Sequence, residues 1–243
     1  GEVETSLSPF RLSVDAEAPV IFMENLNLQL TFDDIIKNIE VPCDGGMREL
    51  YYSYDVETDT AGWIHTGADG WEDQWHQSDE QSSSPVTSWK CGDDGNGDDS
   101  NHLDARLISP PLQLYPFSQL SIMHRIEAEV HSSNPDSAYD GGIVEISLDD
   151  GESWSELIPV GAGYNSWFRW FSGDNPATHP FVPGTPCFSG SFDWREDIFD
   201  LAACADSLVL LRFRFGSDDG VAREGWFLDD IALYGAVPLI PLS

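Results

Sequence analysis

The chain has almost no lysine. Lys37 and Lys90 are the only two among 243 residues, and eleven basic residues stand against forty-three acidic ones, for a formal charge of -32. Such a surface repels phosphate backbones and anionic lipid, so nucleic acid and membrane surfaces are poor partners and divalent cations good ones. The same charge also serves simply to keep an exported or salt-adapted protein in solution. No apolar stretch approaches the length of a membrane-spanning helix, and no secretory signal stands at Gly1. The first residue is not Met, so a mature or excised fragment is expected.

Cysteine is scarce as well. Cys43, Cys91, Cys187 and Cys204 never form a C-x-x-C spacing, which disfavours zinc and redox motifs. Of the three possible pairings, Cys187 with Cys204 and Cys43 with Cys91 are favoured, because each closes a local loop; a loop of the first size is worth roughly 3 kcal/mol. That reading expects an oxidising, extracellular or periplasmic setting. Catalytic signatures are missing too: G-x-S-x-G, H-E-x-x-H, P-loop and Rossmann glycine patterns are all absent. What is present is 41% hydrophobic residues and nine tryptophans, which rules out disorder, in a length sufficient for one large β domain or two small ones.

The sequence reads as strands from end to end. Leu26, Leu28, Leu30 and Phe32 alternate with polar residues, and residues 1–42 are expected to be an added edge strand or the tail of a preceding domain. From Met47 onward, short aromatic strands are separated by Gly and Asp turns, as in a sandwich. Residues 92–104, G-D-D-G-N-G-D-D-S-N-H-L-D, fail the EF-hand pattern and leave two readings, an irregular calcium loop or a solvated turn. Leu120, Ile122, His124, Ile126 and Ala128 share one face of a strand, where His124 reads as a hydrogen-bonded core residue. Ile158 to Phe192 is a long irregular segment carrying Tyr164, Trp167, Phe168, Trp170, Phe171, Phe181 and Phe188. These rings either stack on sugar or a protein partner, with Tyr164, Trp167 and Trp170 as the contact residues, or form a satellite core beneath the loop. The tail 236–243 reads as a linker.

The stretch Tyr139 to Trp154 organises the rest. Ile143, Glu145 and Ser147 alternate with Val144, Ile146 and Leu148, which predicts a half-buried strand. Its end, S-L-D-D-G-E-S-W, fits S-x-D-x-G-x-x-W and resembles an Asp-box, a turn in which a carboxylate accepts backbone N–H groups and Gly takes a positive φ. One unrepeated copy reads as a folding device.

With Y-D-V-E at 54–57, L-I-S-P at 107–110, Y-D-G-G-I-V-E-I-S at 139–147, R-F-R-F-G-S-D at 212–218 and G-W-F-L-D-D-I at 225–231, residues 43–235 resemble the MAM-like jelly rolls. These include the cleaved adhesin domains of gingipains and the sandwich domains appended to immune-inhibitor-A and subtilisin-like secreted proteases. The resemblance implies an all-β, two-sheet antiparallel jelly-roll sandwich whose first and last strands lie side by side and share a structural calcium. Its ligands are implied to be Glu57 with Asp229 or Asp230, and Asp104 and Asp140 are further candidates by position. Two adjacent acids entering a buried strand repel each other and desolvate at high cost, which a hard divalent cation relieves. Without a metal, Asp229 would cap a turn and Asp230 would pair with Arg212 or Arg214.

These readings lead to a secreted, calcium-stabilised, non-catalytic accessory or adhesin module of a larger protein, binding carbohydrate or extracellular protein. Two alternatives stay open. One is a glycan hydrolase or lyase using carboxylates among Glu127, Glu129, Asp140 and Glu145; the other is a passive structural domain of a secreted protease.

Overall fold

Alternation of apolar and polar residues decides most of this architecture. The computed structural model describes the backbone of residues 21–32 and 35–46, and residues 49–95, 97–169 and 179–236 in full. The chain divides into two compact units, Gly1–Met47 and Arg48–Ser243. In the first, β1 (Ile21–Phe32) and β2 (Ile35–Gly46) pair antiparallel as a two-stranded sheet.

The second unit is built on two sheets of six strands. One comprises β3 (Glu49–Tyr54), β5 (Trp75–Ser78), β6 (Ser88–Cys91), β9 (Gln119–Glu127), β16 (Ser191–Asp200) and β18 (Gly225–Gly235). The other comprises β4 (Ile64–Gly67), β7 (Asp104–Ile108), β8 (Leu112–Gln113), β12 (Gly141–Ser147), β13 (Ser155–Leu157) and β17 (Leu208–Gly216). All pairings within these two sheets are antiparallel. The first strand of the unit lies beside the last, with Tyr54 opposite Ile231.

The sheets bury one face each against the other. Ile122, Ile126, Trp226 and Leu228 from the first meet Leu107, Val144, Leu211 and Phe213 from the second in one core. The rings of Phe213 and Trp226 stand edge to face with centroids 6.0 Å apart. His124 sits in this core, fully buried, with Nε2 2.7 Å from Asp197 and Nδ1 accepting from the Trp226 indole at 3.1 Å.

β12 is buried along its whole length rather than on one face only. The reason is a third layer made by the irregular segment together with residues 130–138. There β10 (Val130–His131), β11 (Asn134–Ala138), β14 (Ser166–Phe168) and β15 (Pro186–Cys187) form a small sheet. Phe168, Phe181 and Cys187 from this segment, with Ala138 of β11, close over Ile143 as a second cluster. Phe168 and Phe181 stack with centroids 4.3 Å apart, so these two rings are a satellite core.

The disulfide expectation is corrected. Cys91, Cys187 and Cys204 are free thiols, so Cys187 and Cys204 are not bridged, and the expected Cys43–Cys91 pair involves a residue whose side chain lies outside the described residues. Cys187 and Cys204 are near in sequence, but all ten residues of β16 run between them. At 3.3 Å per residue that strand holds its ends about 30 Å apart, far beyond disulfide reach.

Candidate metal centre and ligand cleft

The acids implied as calcium ligands do not converge on one point. Glu57 follows β3, and its Oε1 accepts the amides of Val86 and Thr87 at 3.0 and 2.9 Å. Asp229, fully buried in β18, accepts the amides of Ser83 and Ser84 on Oδ2 at 2.8 and 2.9 Å, and that of Asp230 on Oδ1 at 2.8 Å. The two carboxylates therefore clamp opposite ends of the Ser83–Thr87 loop through amide donors. Burial raises the Asp229 carboxyl, and these amides partly offset the rise.

Asp230 takes a positive φ of 46° and lines a shallow cavity of about 250 Å³ with Asp55 and Glu196. It pairs with neither arginine proposed for it. Arg212 bonds Glu145 at 2.6 Å, and Arg214 bonds Asp104 through two nitrogens at 2.6 and 2.8 Å. Asp104 thus lies on the other sheet, also contacted by Arg106. Burial pushes its carboxyl up, but Arg214 and Arg106 outweigh that and hold it below the usual range. An acid neutralised by two guanidinium groups is not left to hold calcium.

Asp140 is placed differently. It is 2% exposed, at the start of β12, where its Oδ1 accepts the Asp218 amide at 3.0 Å. Burial raises its carboxyl well above the ordinary value, and the charges of Asp99, Asp218 and Glu129 add to the rise. Asp99, also 2% exposed, comes from the acidic loop and accepts the Arg223 amide on Oδ1. Its Oδ2 is buried without a partner, and burial pushes its carboxyl up to about 7. The charge of Asp99 reaches Asp140, and Asp99 keeps an orphaned buried oxygen, so a hard cation within reach of both would relieve the desolvation of each. Glu129 joins the same corner, where its Oε2 accepts the Val221 amide at 3.0 Å. The sequence pointed to Asp140 but not to Asp99, one acid among five in residues 93–104.

The rest of the acidic loop folds around a cation of its own. The ammonium of Lys90 is fully buried and donates to Glu80 Oε2 and to the carbonyls of Asp93, Gly95 and Gly97, at 2.6 to 3.0 Å. Lysine fills the centre of this part of the loop, while Asp93, Asp94 and Asp98 stay exposed around it.

Among the aromatic residues expected to touch ligand, Tyr164 is structural. Its hydroxyl donates to the Leu157 carbonyl and accepts the Val144 amide, and its ring packs on Phe188. Trp167 is 44% exposed on β14, and Trp170 lies outside the described residues. A different aromatic surface is concave. Tyr51, Tyr52, Tyr115, Pro110, Pro111, Leu112, Gln113 and Leu233 line a cavity of about 440 Å³ without a single charged side chain. The rings of Tyr51 and Tyr115 stand edge to face at 5.0 Å. Ser118 fixes the Tyr51 hydroxyl at 2.8 Å, and the Trp63 indole donates to that of Tyr52 at 3.0 Å. Planar rings held in place on an open face suit the apolar faces of a sugar ring.

Of the carboxylates considered for catalysis, Glu145 lies opposite Glu156 across β12 and β13. Burial and the charge of Glu145 push Glu156 up to about 7. Glu145 is committed to Arg212, however, and neither acid lines either cavity described above.

No family model matches the chain. It is similar to Bacillopeptidase F of Bacillus subtilis (strain 168), at 24% identity over 188 residues, covering 75% of this chain and 10% of that protein. The chain thus spans about a tenth of that relative's length. Among solved structures it is similar to the K1 cleaved adhesin domain of Lys-gingipain from Porphyromonas gingivalis W83, with a TM-score of 0.44, 16% identity and coverage of 76% of this chain and 97% of that one. It is also similar to the CBM22-1 xylan-binding domain from Paenibacillus barcinonensis Xyn10C, with a TM-score of 0.43, 14% identity and coverage of 79% and 97%. Among the described residues, no helix is long and apolar enough to cross a membrane.

Proposed function

We propose that residues 48–236 are a non-catalytic, calcium-stabilised binding module that takes neutral carbohydrate in the tyrosine cleft. One observation carries the ligand class. In a chain of formal charge -32, the cleft formed by Tyr51, Tyr52 and Tyr115 has no charged lining residue. An anionic glycan would meet the field of the whole surface, whereas a neutral sugar loses nothing by entering an uncharged, ring-lined depression.

Calcium is assigned to Asp99 and Asp140, with backbone carbonyls completing the six to eight oxygens that the ion takes. The unpartnered Oδ2 of Asp99 supports the fit. The likeness to a short part of Bacillopeptidase F supports an accessory position in a larger extracellular protein, as an adhesin or targeting module.

The reading is tested by mixing the pure domain with neutral polysaccharides and measuring both retention and release of reducing ends. Retention without release is the expected result. Release abolished by Glu145→Gln or Glu156→Gln would establish a hydrolase instead. Neither retention nor release across a broad neutral panel would remove the carbohydrate reading and leave an extracellular protein as the partner class.

A further inference from the structure

Apart from Asp99 and Asp140, a second cluster of metal-ligating groups lies on the first sheet. One ligand atom each from His76, Glu80 and Asp94 falls within 4.8 Å of the other two. His76 stands on β5 directly opposite Lys90 on β6; Glu80 follows β5, and Asp94 follows β6.

The histidine is prepared in a specific way. Its Nδ1 lies 2.9 Å from the backbone carbonyl of Gln74, which can only accept, so Nδ1 carries the proton. Nε2 is then left with its lone pair, and it is shielded from solvent without any hydrogen-bond partner. A neutral imidazole oriented by a carbonyl on one nitrogen and bare on the other is the state in which histidine binds a metal ion.

The carboxylates are held as well. Glu80 accepts Lys90 on Oε2 at 2.7 Å and the Ser78 hydroxyl on Oε1 at 3.2 Å, which fixes its plane beside the imidazole. Asp94 accepts the Gly95 amide on Oδ1 at 3.0 Å and is exposed, so it can close on an ion from the solvent side.

We propose that His76, Glu80 and Asp94 bind a divalent transition-metal ion of the zinc class. One nitrogen and two carboxylates leave at least one coordination position open, and the imidazole selects such ions over calcium and magnesium, which take oxygen. The Lys90 ammonium on Glu80 lowers the affinity and further disfavours an ion bound by charge alone. This site shares no ligand with the proposed calcium pair and stands or falls independently of it.

Cobalt(II) tests it directly, because its visible spectrum reports nitrogen and oxygen ligation without any activity assay. The domain is titrated with Co²⁺ in saturating calcium, alongside His76→Gln, Asp94→Asn and the control His102→Gln. Expected is one equivalent bound, affinity reduced roughly tenfold to a hundredfold in both site variants, on the scale of losing a tuned ligand contact, and no change in the control. Asp94 is an exposed loop residue, so its variant gives the answer even if His76→Gln fails to fold. No cobalt spectrum at micromolar metal, or binding that survives either site substitution within about twofold, overturns the three-ligand site.

Discussion

The ammonium of Lys90 lies 2.7 Å from Oε2 of Glu80, and the lysine is completely buried. Three carbonyls from one short loop segment complete its shell, so the acidic loop is folded on an internal cation supplied by one of only two lysines in the chain. Lys90→Met leaves Glu80 and those carbonyls without their donor. A loss of roughly 3–5 kcal/mol is expected, as for other broken buried ion pairs. Urea unfolding measures it, and a loss below about 1 kcal/mol would show that the loop finds other donors at little cost.

Calcium should raise thermal stability through Asp99 and Asp140. At a hundred times its dissociation constant a ligand adds about 2.7 kcal/mol, and each kcal/mol moves a domain of this size by about 2–4 °C. Re-addition after chelation should therefore raise Tm by about 5–10 °C. Asp99→Asn and Asp140→Asn should abolish the response, while Asp230→Asn keeps it. Loss of the response in Asp230→Asn alone would return the ion to the closing strand.

Glu156 gives a pH dependence of known sign. Its folded pKa, about 7, lies above the ordinary 4.5, so the folded state holds the proton more tightly. Its stabilising contribution is full below about 4.5 and is lost as pH rises through about 7. In saturating calcium, the Tm of wild type relative to Glu156→Gln should fall between pH 5 and pH 8. A difference that does not vary with pH contradicts the burial argument.

The thiols should differ in reach. Burial pushes Cys91 and Cys187 well up, and the partly exposed Cys204 less deeply. Native alkylation should label Cys204 first and the other two only on unfolding. A Cys187–Cys204 peptide pair in a non-reducing map would contradict the free thiols and the span of β16 between them.

Much of the sandwich was legible because alternation is a local signal. β9, β12 and β17 announce their buried faces through Ile122 and Ile126, Val144 and Ile146, and Leu211 and Phe213. β2 did not, since Ile36, Ile39 and Val41 follow no clean period of two. Nor did the small third sheet, whose strands run two to five residues and gain their place only by covering Ile143. The candidate sites were harder still. Asp99 is buried by its contact with Arg223, more than a hundred residues away in sequence, and Tyr51 and Tyr115 meet only after β3 and the segment following β8 are placed. No spacing rule separates such residues from the other forty-two acids or the other tyrosines.

The central claim is that the tyrosine cleft is the ligand site. It is tested most directly by calorimetric titration of the wild type and Tyr115→Ala with a neutral oligosaccharide taken from whichever polysaccharide retains the domain. Removal of one stacking ring from a hot-spot position should cost about 2 kcal/mol, some thirtyfold in Kd. The unfolding temperature is measured alongside to show that the variant is folded, since Tyr115 is partly buried against Tyr51. Equal affinity in the two proteins would contradict the account and move the ligand to another face, with Trp167 the next ring to substitute.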